Sequence, residues 1–367
     1  MILLLTAGFG DGHNTAARNV ASALNQIAPQ EETRIVDLCD VAHPHLAPLL
    51  KINYQMLITR APKLWGRVFA HTAKMDFNGS GGVDILAGLR RALRELLQRD
   101  RPRAIISTYP VYSKIIETLR NEGLAVPPHF TVVTDSISIH PVWMLAPSDR
   151  YFVADEDSKH ALAALGAEPE KIIATGFPVH LDFCQPIPPM AELPQGRIIY
   201  LPSTHVDHVG ATLESLRPLL SAGTHLTLPV GKHASRLYHT LTRFIDSLPG
   251  ASIEVLGWTN QIPRILQTHD LVICKAGGAI LHEALAARCP AIIDFIVPGQ
   301  EEGNAELLVK HDCGVVTKTA AETGIQAARL LANNRAEAKR MKANAQPLSE
   351  PEASLKIAQK VLAGLAP

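Results

Sequence analysis

Short aliphatic and β-branched runs alternate with amphipathic helical stretches along most of this 367-residue chain. A run that is apolar along its whole length and is followed by a helix is typical of a parallel strand buried on both faces. The alternation therefore predicts an α/β fold with helices on both sides of a parallel sheet. In the first half of the chain the expected strands are residues 2–6, 34–37, 104–107, 131–134 and 150–153, and the expected helices include 15–26, 83–98 and 112–122.

The alternation pauses at residues 176–196, which hold five prolines and show no periodicity, as is typical of a linker. The sequence thus predicts two doubly wound domains, and ligands of such sheets bind beyond the carboxyl ends of the strands. The strands of the second domain are expected at residues 197–201, 225–229, 252–256, 271–274 and 291–295. The expected boundaries are 1–178 for the first domain, 179–196 for the linker, 197–346 for the second domain and 347–367 for a C-terminal helix that crosses back to the first domain.

Composition excludes several classes of protein. The 35 basic and 35 acidic residues give a net charge of zero and only 5% of residues are aromatic, so no nucleic-acid partner is expected. The five cysteines form no Cys-x-x-Cys pair, which predicts reduced thiols rather than a disulfide framework or a zinc site. The apolar run at residues 1–5 is too short to span a membrane and has no basic segment before it, so we expect a buried first strand in a cytoplasmic protein.

The first strand-to-helix turn carries glycine at every second position, Gly8, Gly10 and Gly12, followed by His13. Such glycines allow positive φ angles and a close approach of the backbone to a ligand, and the amides of the next helix favour an anion. His13 could act as a general base or could simply cap the helix, and the turn alone does not decide between them. The spacing is not Gly-x-Gly-x-x-Gly, so a plain dinucleotide-binding fold is a weaker alternative.

A second combination of strand, turn and helix lies at residues 271–285. Its Gly277-Gly278 turn can present backbone amides to a phosphate, and Glu283 can accept hydrogen bonds from both hydroxyls of a ribose. Taken alone, Glu283 would more often be a solvated helix residue. The loop after the next strand ends with polar side chains of the kind that bind sugar hydroxyls. They are Gln300, Glu301 and Asn304.

Together with the first turn, this stretch resembles glycosyltransferase family 28 of the GT-B fold, and within it the diacylglycerol glycosyltransferases, which include monogalactosyldiacylglycerol synthases. The resemblance implies two Rossmann-like, doubly wound α/β domains facing across a cleft. The other segments that carry it are Gly10-x-Gly12-His13-x-x-Ala16-Ala17, Leu64-Trp65, Thr134-Asp135…His140…Trp143, Asp149-Arg150-Tyr151-Phe152-Val153, Thr175-Gly176-Phe177-Pro178-Val179 and Leu256-Gly257-Trp258.

The resemblance implies an inverting, metal-independent transferase that moves a hexose, glucose or galactose, from a UDP-sugar to a lipid hydroxyl such as that of diacylglycerol. It implies no cofactor, and it makes His13 and Asp135 the candidate catalytic residues, either of which could be the base. Alternatives are a different acceptor, a nucleotide-sugar epimerase, or a nucleotide-sugar-binding protein without transfer activity. The implied donor-binding residues are Trp258 and Thr259 at the base, Glu283 at the ribose, Gly277, Gly278 and Ala279 at the diphosphate, and Gln300, Glu301 and Asn304 at the donor sugar.

The first domain is expected to carry the acceptor site and a membrane-facing surface. Residues 60–103 contain ten basic and four acidic residues, and aromatic residues beside cations suit an anionic membrane surface. With the support of the resemblance, we expect the 62–82 loop to contact the inner face of the cell membrane as a peripheral attachment, whereas the arginines of 83–98 form a solvated helix face. The expected acceptor and membrane residues are Gly10, Gly12, Trp65, Phe69, His140 and Trp143.

Two segments depart from the family pattern. The first strand of the second domain is followed by Pro202-Ser203-Thr204-His205, where the family usually has a glycine-rich turn beside the diphosphate. Either Ser203, Thr204 or His205 donates hydrogen bonds there instead, or the donor binds differently. Tyr109 stands where many relatives have histidine.

Overall fold

The computed structural model describes residues 1–72, 85–187, 193–202, 205–299 and 301–365. It contains two parallel six-stranded sheets with flanking helices, which confirms the predicted α/β class with two doubly wound sheets. The chain divides into two compact units. Unit 1 consists of Met1–Leu181, Pro298–Gly303 and Glu350–Pro367, and unit 2 consists of Asp182–Val297 and Asn304–Ser349.

The sheet of unit 1 has the strand order β2-β1-β3-β4-β5-β6, so the direction of winding reverses between β1 and β3. Its strands are β1 (Ile2–Thr6), β2 (Thr33–Asp37), β3 (Ala104–Ser107), β4 (His129–Val132), β5 (Arg150–Val153) and β6 (Ile172–Ala174). Its first helices are α1 (Asp11–Ile27), α2 (Leu38–Ala42), α3 (Leu46–Arg60), α4 (Pro62–Thr72), α5 (Ile85–Asp100), α6 (Tyr112–Asn121) and α7 (Glu156–Ala164).

Strand β1 contributes to two hydrophobic cores, one on each face of the sheet. Leu3 and Leu5 belong to a core that includes Leu93 of α5, whereas Ile2 and Leu4 belong to a core with α1. Successive side chains of a strand point to opposite faces, so a strand buried on both sides must be apolar throughout. This explains the uninterrupted apolar run at the start of the sequence.

The sheet of unit 2 has the order β12-β11-β10-β7-β8-β9, and its winding reverses between β7 and β10. Its strands are β7 (Arg197–Tyr200), β8 (His225–Pro229), β9 (Ile253–Leu256), β10 (Leu271–Lys275), β11 (Ala291–Phe295) and β12 (Gly314–Val316). Its helices are α8 (Val206–Ser221), α9 (Ala234–Asp246), α10 (Ile262–Thr268), α11 (Gly278–Ala287), α12 (Glu302–Lys310) and α13 (Ala320–Asn344), the last with a kink at residues 332–335.

The final helix, α14 (Ala353–Ala363), packs against α1 in unit 1. Its Ile357 and Val361 are fully buried. The segment after β6 accepts a hydrogen bond from each of these helices. Asn19 of α1 donates to the Pro178 carbonyl at 3.0 Å, and Ser354 of α14 donates to the Val179 carbonyl at 2.6 Å. The segment 175–179, which the sequence singled out by resemblance, therefore has a structural role.

Some of the expected element bounds were wrong. Helix α1 begins at Asp11, four residues before the expected start, and β4 ends at Val132 so that Val133 and Thr134 enter the following loop. Strands β6 and β12 were not expected because three residues are too few to display a pattern.

The 62–82 segment, expected as a loop, is helical over Pro62–Thr72, and proline is well tolerated in a first helical turn. Residues 73–82 lie outside the described residues. None of the helices in the described ranges combines the length and the apolar content needed to cross a bilayer.

Replacing Gly176 by alanine should destabilise the protein more than replacing Gly123. Both glycines have positive φ, +90° and +83°, so both substitutions carry backbone strain of about 1–2 kcal/mol. Only at Gly176 would the new Cβ lie 2.5 Å from Cβ of Glu350 and 2.8 Å from Cβ of Ala353; at Gly123 nothing lies within 4 Å. Urea unfolding should show a further loss of about 1–3 kcal/mol for Gly176→Ala. Equal losses for the two variants would contradict the packing role of Gly176.

Candidate active site

Three loops of unit 1 meet at one edge of its sheet. They follow β1, β3 and β4, which are neighbours, and parallel strands all end at the same edge. His13, in the first turn of α1, lies here beside Thr108 from the second loop and Thr134 from the third. The edge is also where the winding reverses, which is the usual ligand site of a doubly wound sheet.

The hydrogen bonds of His13 define which ring nitrogen carries the proton. Nδ1 lies 2.6 Å from the Thr108 carbonyl oxygen, which can only accept, so Nδ1 is protonated and donates. The Thr134 hydroxyl lies 3.1 Å from the same nitrogen. Burial lowers the pKa of His13 to about 4, and the hydrogen bond to Thr108 opposes this only in part. His13 is therefore neutral near pH 7, with Nε2 left as a proton acceptor.

Asp135 lies in the loop after β4 and is held by Trp143. The indole Nε1 donates to Oδ2 of Asp135 at 2.7 Å, and the backbone N of His140 lies 3.5 Å from the same oxygen. Burial raises the pKa of Asp135, and the hydrogen bond from Trp143 works against that rise. The Trp143 ring is also 6.3 Å from the His13 ring, so the two candidate catalytic residues flank one indole.

His140 and Trp143, which the sequence assigned to the acceptor and membrane residues, are both buried. Trp143 is 1% exposed and packs in a core with Tyr151 and Val153. His140 is 7% exposed, and its Nδ1 accepts a hydrogen bond from the backbone N of Val142 at 3.1 Å. Their observed contacts hold the Asp135 loop in place.

The glycines of the first turn do not use the positive φ that glycine allows. Gly10 is extended, with φ −145°, and precedes α1. A Cβ on Gly8 would lie 3.1 Å from both Oδ2 of Asp37 and Nζ of Lys51, so close packing accounts for this glycine. A Cβ on Gly10 or Gly12 would meet nothing within 4 Å, which leaves open space beside the backbone for a ligand.

In unit 2, the Gly277-Gly278 turn joins β10 to α11 at the second reversal of winding. Gly277 precedes the helix with φ −69° and ψ 133°, and α11 begins at Gly278, so the first-turn amides of a ten-residue helix start here. Nζ of Lys275 lies 3.0 Å from the position that a Gly277 Cβ would occupy. Sequence analysis missed Lys275, although a lysine that ends an apolar strand is a visible signal.

Three expected donor-binding residues, Gln300, Glu301 and Asn304, follow β11, and the structure describes two of them. Asn304 is buried, and its Nδ2 donates to the Ala276 carbonyl at 3.1 Å, which fixes the backbone just before Gly277. Its Oδ1 is buried and has no partner among the described residues. Glu301 is 6% exposed, and Gln300 lies outside the described residues.

The remaining expected donor residues lie on the surface of unit 2. Trp258, after β9, is 84% exposed and borders Gly231. Oγ1 of Thr259 accepts from the backbone N of Gln261 at 3.1 Å, just before α10. Ala279 and Glu283 are partly exposed on α11. A tryptophan left this exposed is unusual in a folded unit and offers a flat ring for stacking.

A histidine and aspartate pair in unit 2 was also missed. Nε2 of His208, in the first turn of α8, lies 3.1 Å from Oδ2 of Asp294, a buried residue of β11. An aspartate within an apolar strand was the available signal. His208 follows the 202–205 segment, in which Ser203 and Thr204 lie outside the described residues.

The remaining expected membrane residues lie on α4. Trp65 packs edge to face on Tyr54 of α3, with ring centroids 5.0 Å apart. The side chain of Phe69 lies outside the described part of the structure.

The chain matches models of two protein families. Residues 13–179 match the monogalactosyldiacylglycerol (MGDG) synthase model, and residues 214–361 match the glycosyltransferase family 28 C-terminal domain. A processive diacylglycerol beta-glucosyltransferase of Bacillus cereus (strain G9842) is 26% identical over 337 residues, which cover 90% of this chain and 85% of that protein. A protein of the same name from Bacillus thuringiensis (strain Al Hakam) is 27% identical over 339 residues, with the same coverage.

The chain also resembles solved structures. One is MurG of Acinetobacter baumannii, with a TM-score of 0.62 and 14% identity over 98% of this chain and 99% of that one. At this identity the likeness concerns the fold, which is GT-B, as expected from the sequence.

Replacing Trp143 by phenylalanine should raise the pKa of Asp135 further. Burial already favours the protonated carboxyl, and the variant removes the indole N–H that stabilises the carboxylate. A ¹³C NMR titration of the Asp135 carboxyl would measure the shift. Tyr151→Phe is the matched control, because it alters the same core without touching Asp135. An unchanged or lower pKa in Trp143→Phe would contradict the role given to Trp143.

Proposed function

We propose that this chain, which matches the MGDG synthase model over residues 13–179 and the glycosyltransferase family 28 C-terminal domain over residues 214–361, transfers a hexose from a UDP-sugar to the hydroxyl of a lipid such as diacylglycerol. The two Bacillus relatives support this proposal, since both are named for transfer of glucose to diacylglycerol and align with 90% of the chain. Their names favour glucose over galactose. The structural observation that carries the proposal is a neutral His13 whose Nε2 is free of the Thr108 hydrogen bond.

In the proposed reaction, the acceptor oxygen attacks the anomeric carbon from the face opposite the diphosphate, so the configuration inverts. The bond between that carbon and the diphosphate oxygen breaks, and its electron pair leaves with UDP. The acceptor proton passes to Nε2 of His13. Asp135, at the same sheet edge, would orient the acceptor hydroxyl by a hydrogen bond.

The leaving group would be stabilised without a metal. The first-turn amides of α11 carry partial positive charge, and Lys275 adds a cation beside Gly277. Asn304 supports this turn through Ala276. We assign the diphosphate to Gly277, Gly278 and Ala279 on these grounds, and the donor sugar to the loop that contains Gln300 and Glu301.

The nucleoside of the donor would bind to two other parts of unit 2. Trp258 offers an exposed ring on which a uracil can stack, with Thr259 next to it. Glu283 lies on α11 within two turns of the proposed diphosphate site, and its carboxylate can accept hydrogen bonds from both ribose hydroxyls.

We further propose that α3 and α4 attach the protein to an anionic membrane, at the inner face of the cell membrane. Leu49 and Ile52 of α3 are each 57% exposed, and Leu64 of α4 is 53% exposed. The exposed Lys63 and Arg67 lie beside Leu64 on α4. Apolar side chains next to cations suit the headgroup region of an anionic leaflet.

Incubation with diacylglycerol vesicles and UDP-glucose or UDP-galactose should yield a glycolipid and free UDP. His13→Ala should lower the rate about 10²–10⁴-fold, because the acceptor proton then has no base. UDP affinity should stay unchanged, since the donor residues lie in unit 2. His160→Ala, which replaces an exposed histidine of α7, is the control. UDP release without glycolipid would indicate another acceptor, and UDP binding without either product would indicate a protein that binds but does not transfer.

Trp258→Ala should weaken UDP binding about 5- to 150-fold, the usual effect of losing one base-stacking ring. Isothermal titration calorimetry would measure the change. Tyr238→Ala removes another exposed ring of unit 2, 62% exposed on α9, and should bind UDP like the wild type. If both variants bind equally well, Trp258 does not contact the base.

A further inference from the structure

A row of aromatic rings runs through unit 1 from His13 to α4. The His13 ring lies 5.2 Å from the Tyr109 ring, edge to face, and Tyr109 is stacked on Phe9 at 6.0 Å. Phe9 meets Tyr54 of α3 at 5.9 Å, and Tyr54 meets Trp65 of α4 at 5.0 Å. We call His13, Tyr109, Phe9, Tyr54 and Trp65 the aromatic row.

The aromatic row lies at the margin of a core of unit 1, against which Phe9 and Tyr109 pack. All five side chains are only partly buried, whereas the adjoining Tyr112 is fully buried. The Tyr112 ring lies 5.3 Å from the Tyr109 ring. Its hydroxyl donates to the Thr6 carbonyl at 2.8 Å, so Tyr112 packs within the interior of unit 1. Each side chain of the aromatic row therefore keeps part of its surface exposed to solvent.

Polar contacts hold the aromatic row in place before any ligand binds. Nε2 of Gln55 on α3 donates to the Phe9 carbonyl at 3.2 Å. Nζ of Lys51, also on α3, lies 2.6 Å from Oδ2 of Asp37, which also accepts from the backbone N of Gly8 at 2.7 Å. Helix α3 is thus fixed to the first turn, and the rings need little reorganisation on binding.

The two ends of the aromatic row differ in chemistry. One end is the proposed base, His13. The other lies on α3 and α4, the helices that expose Leu49, Ile52 and Leu64 to solvent. The aromatic row thus begins at a proton acceptor and ends on two helices that carry exposed apolar side chains, and this order fits a molecule with one reactive hydroxyl and a long hydrocarbon chain.

We propose that the aromatic row is the contact surface for an acyl chain of the lipid acceptor, with Tyr109 next to the reacting hydroxyl and Tyr54 and Trp65 further along the chain. This inference rests on the proposed function and adds the residues that determine acceptor specificity. Each CH₂ group buried on the rings should raise affinity by roughly fourfold. Longer chains should therefore be preferred until the rings are covered.

The test measures kcat/KM for diacylglycerols of six, eight and ten carbons per chain in mixed micelles at a fixed surface fraction. Tyr109→Ala should lower kcat/KM for all three about tenfold, mainly through KM, and Tyr109→Phe should recover most of the loss because it keeps the ring. Tyr54→Ala should lower the value only for the longer chains. Tyr238→Ala, in unit 2, should match the wild type.

Equal chain-length profiles in the wild type and in Tyr54→Ala would overturn the inference while leaving the proposed function intact. A wild type that forms no glycolipid with any chain length would overturn both. If an alanine variant fails to fold, the wild type can be photocrosslinked with a diacylglycerol that carries a diazirine at the chain end. The labelled residues then show which elements contact the chain. Labelling on α3 or α4 would support the inference, and labelling confined to other elements would overturn it.

Discussion

The hydrogen bond between Nδ1 of His13 and the Thr108 carbonyl is the contact on which the proposed chemistry depends. It joins residues 95 positions apart. The Thr134 hydroxyl, 121 positions from His13, lies near the same ring nitrogen. The contact exists because β1, β3 and β4 are neighbouring parallel strands whose carboxyl ends share one edge. One carbonyl thereby sets the tautomer of the ring and leaves Nε2 for the acceptor proton.

Burial acts on the two candidate catalytic groups in opposite directions. It lowers the pKa of His13 and raises that of Asp135, because in each case the charged form loses its hydration. Trp143 limits the rise at Asp135 by donating to the carboxylate. The lowered pKa keeps His13 neutral but makes it a weaker proton acceptor, whereas the raised pKa makes Asp135 a stronger one.

At one turn of unit 2, positive charge comes from backbone amides and from a lysine. The start of α11 and Lys275 place positive charge at the turn after β10, and Asn304 fixes that turn through Ala276. Gly277 does not have a positive φ, and the closest atom to a Cβ placed there would be the lysine Nζ, 3.0 Å away. A Cβ at Gly8 would likewise lie 3.1 Å from side-chain atoms of Asp37 and Lys51.

The sequence by itself determined the fold class, the strands of both sheets except the short β6 and β12, and the two motifs at the sheet edges, because apolar periodicity and glycine turns are local signals. Only the tertiary structure decided that Trp143 is buried against Asp135, that residues 62–72 form a helix, and that Tyr109, Phe9 and Tyr54 align with His13. Burial and ring contacts depend on which distant segments pack together. That packing is fixed by strand order, which local periodicity does not specify.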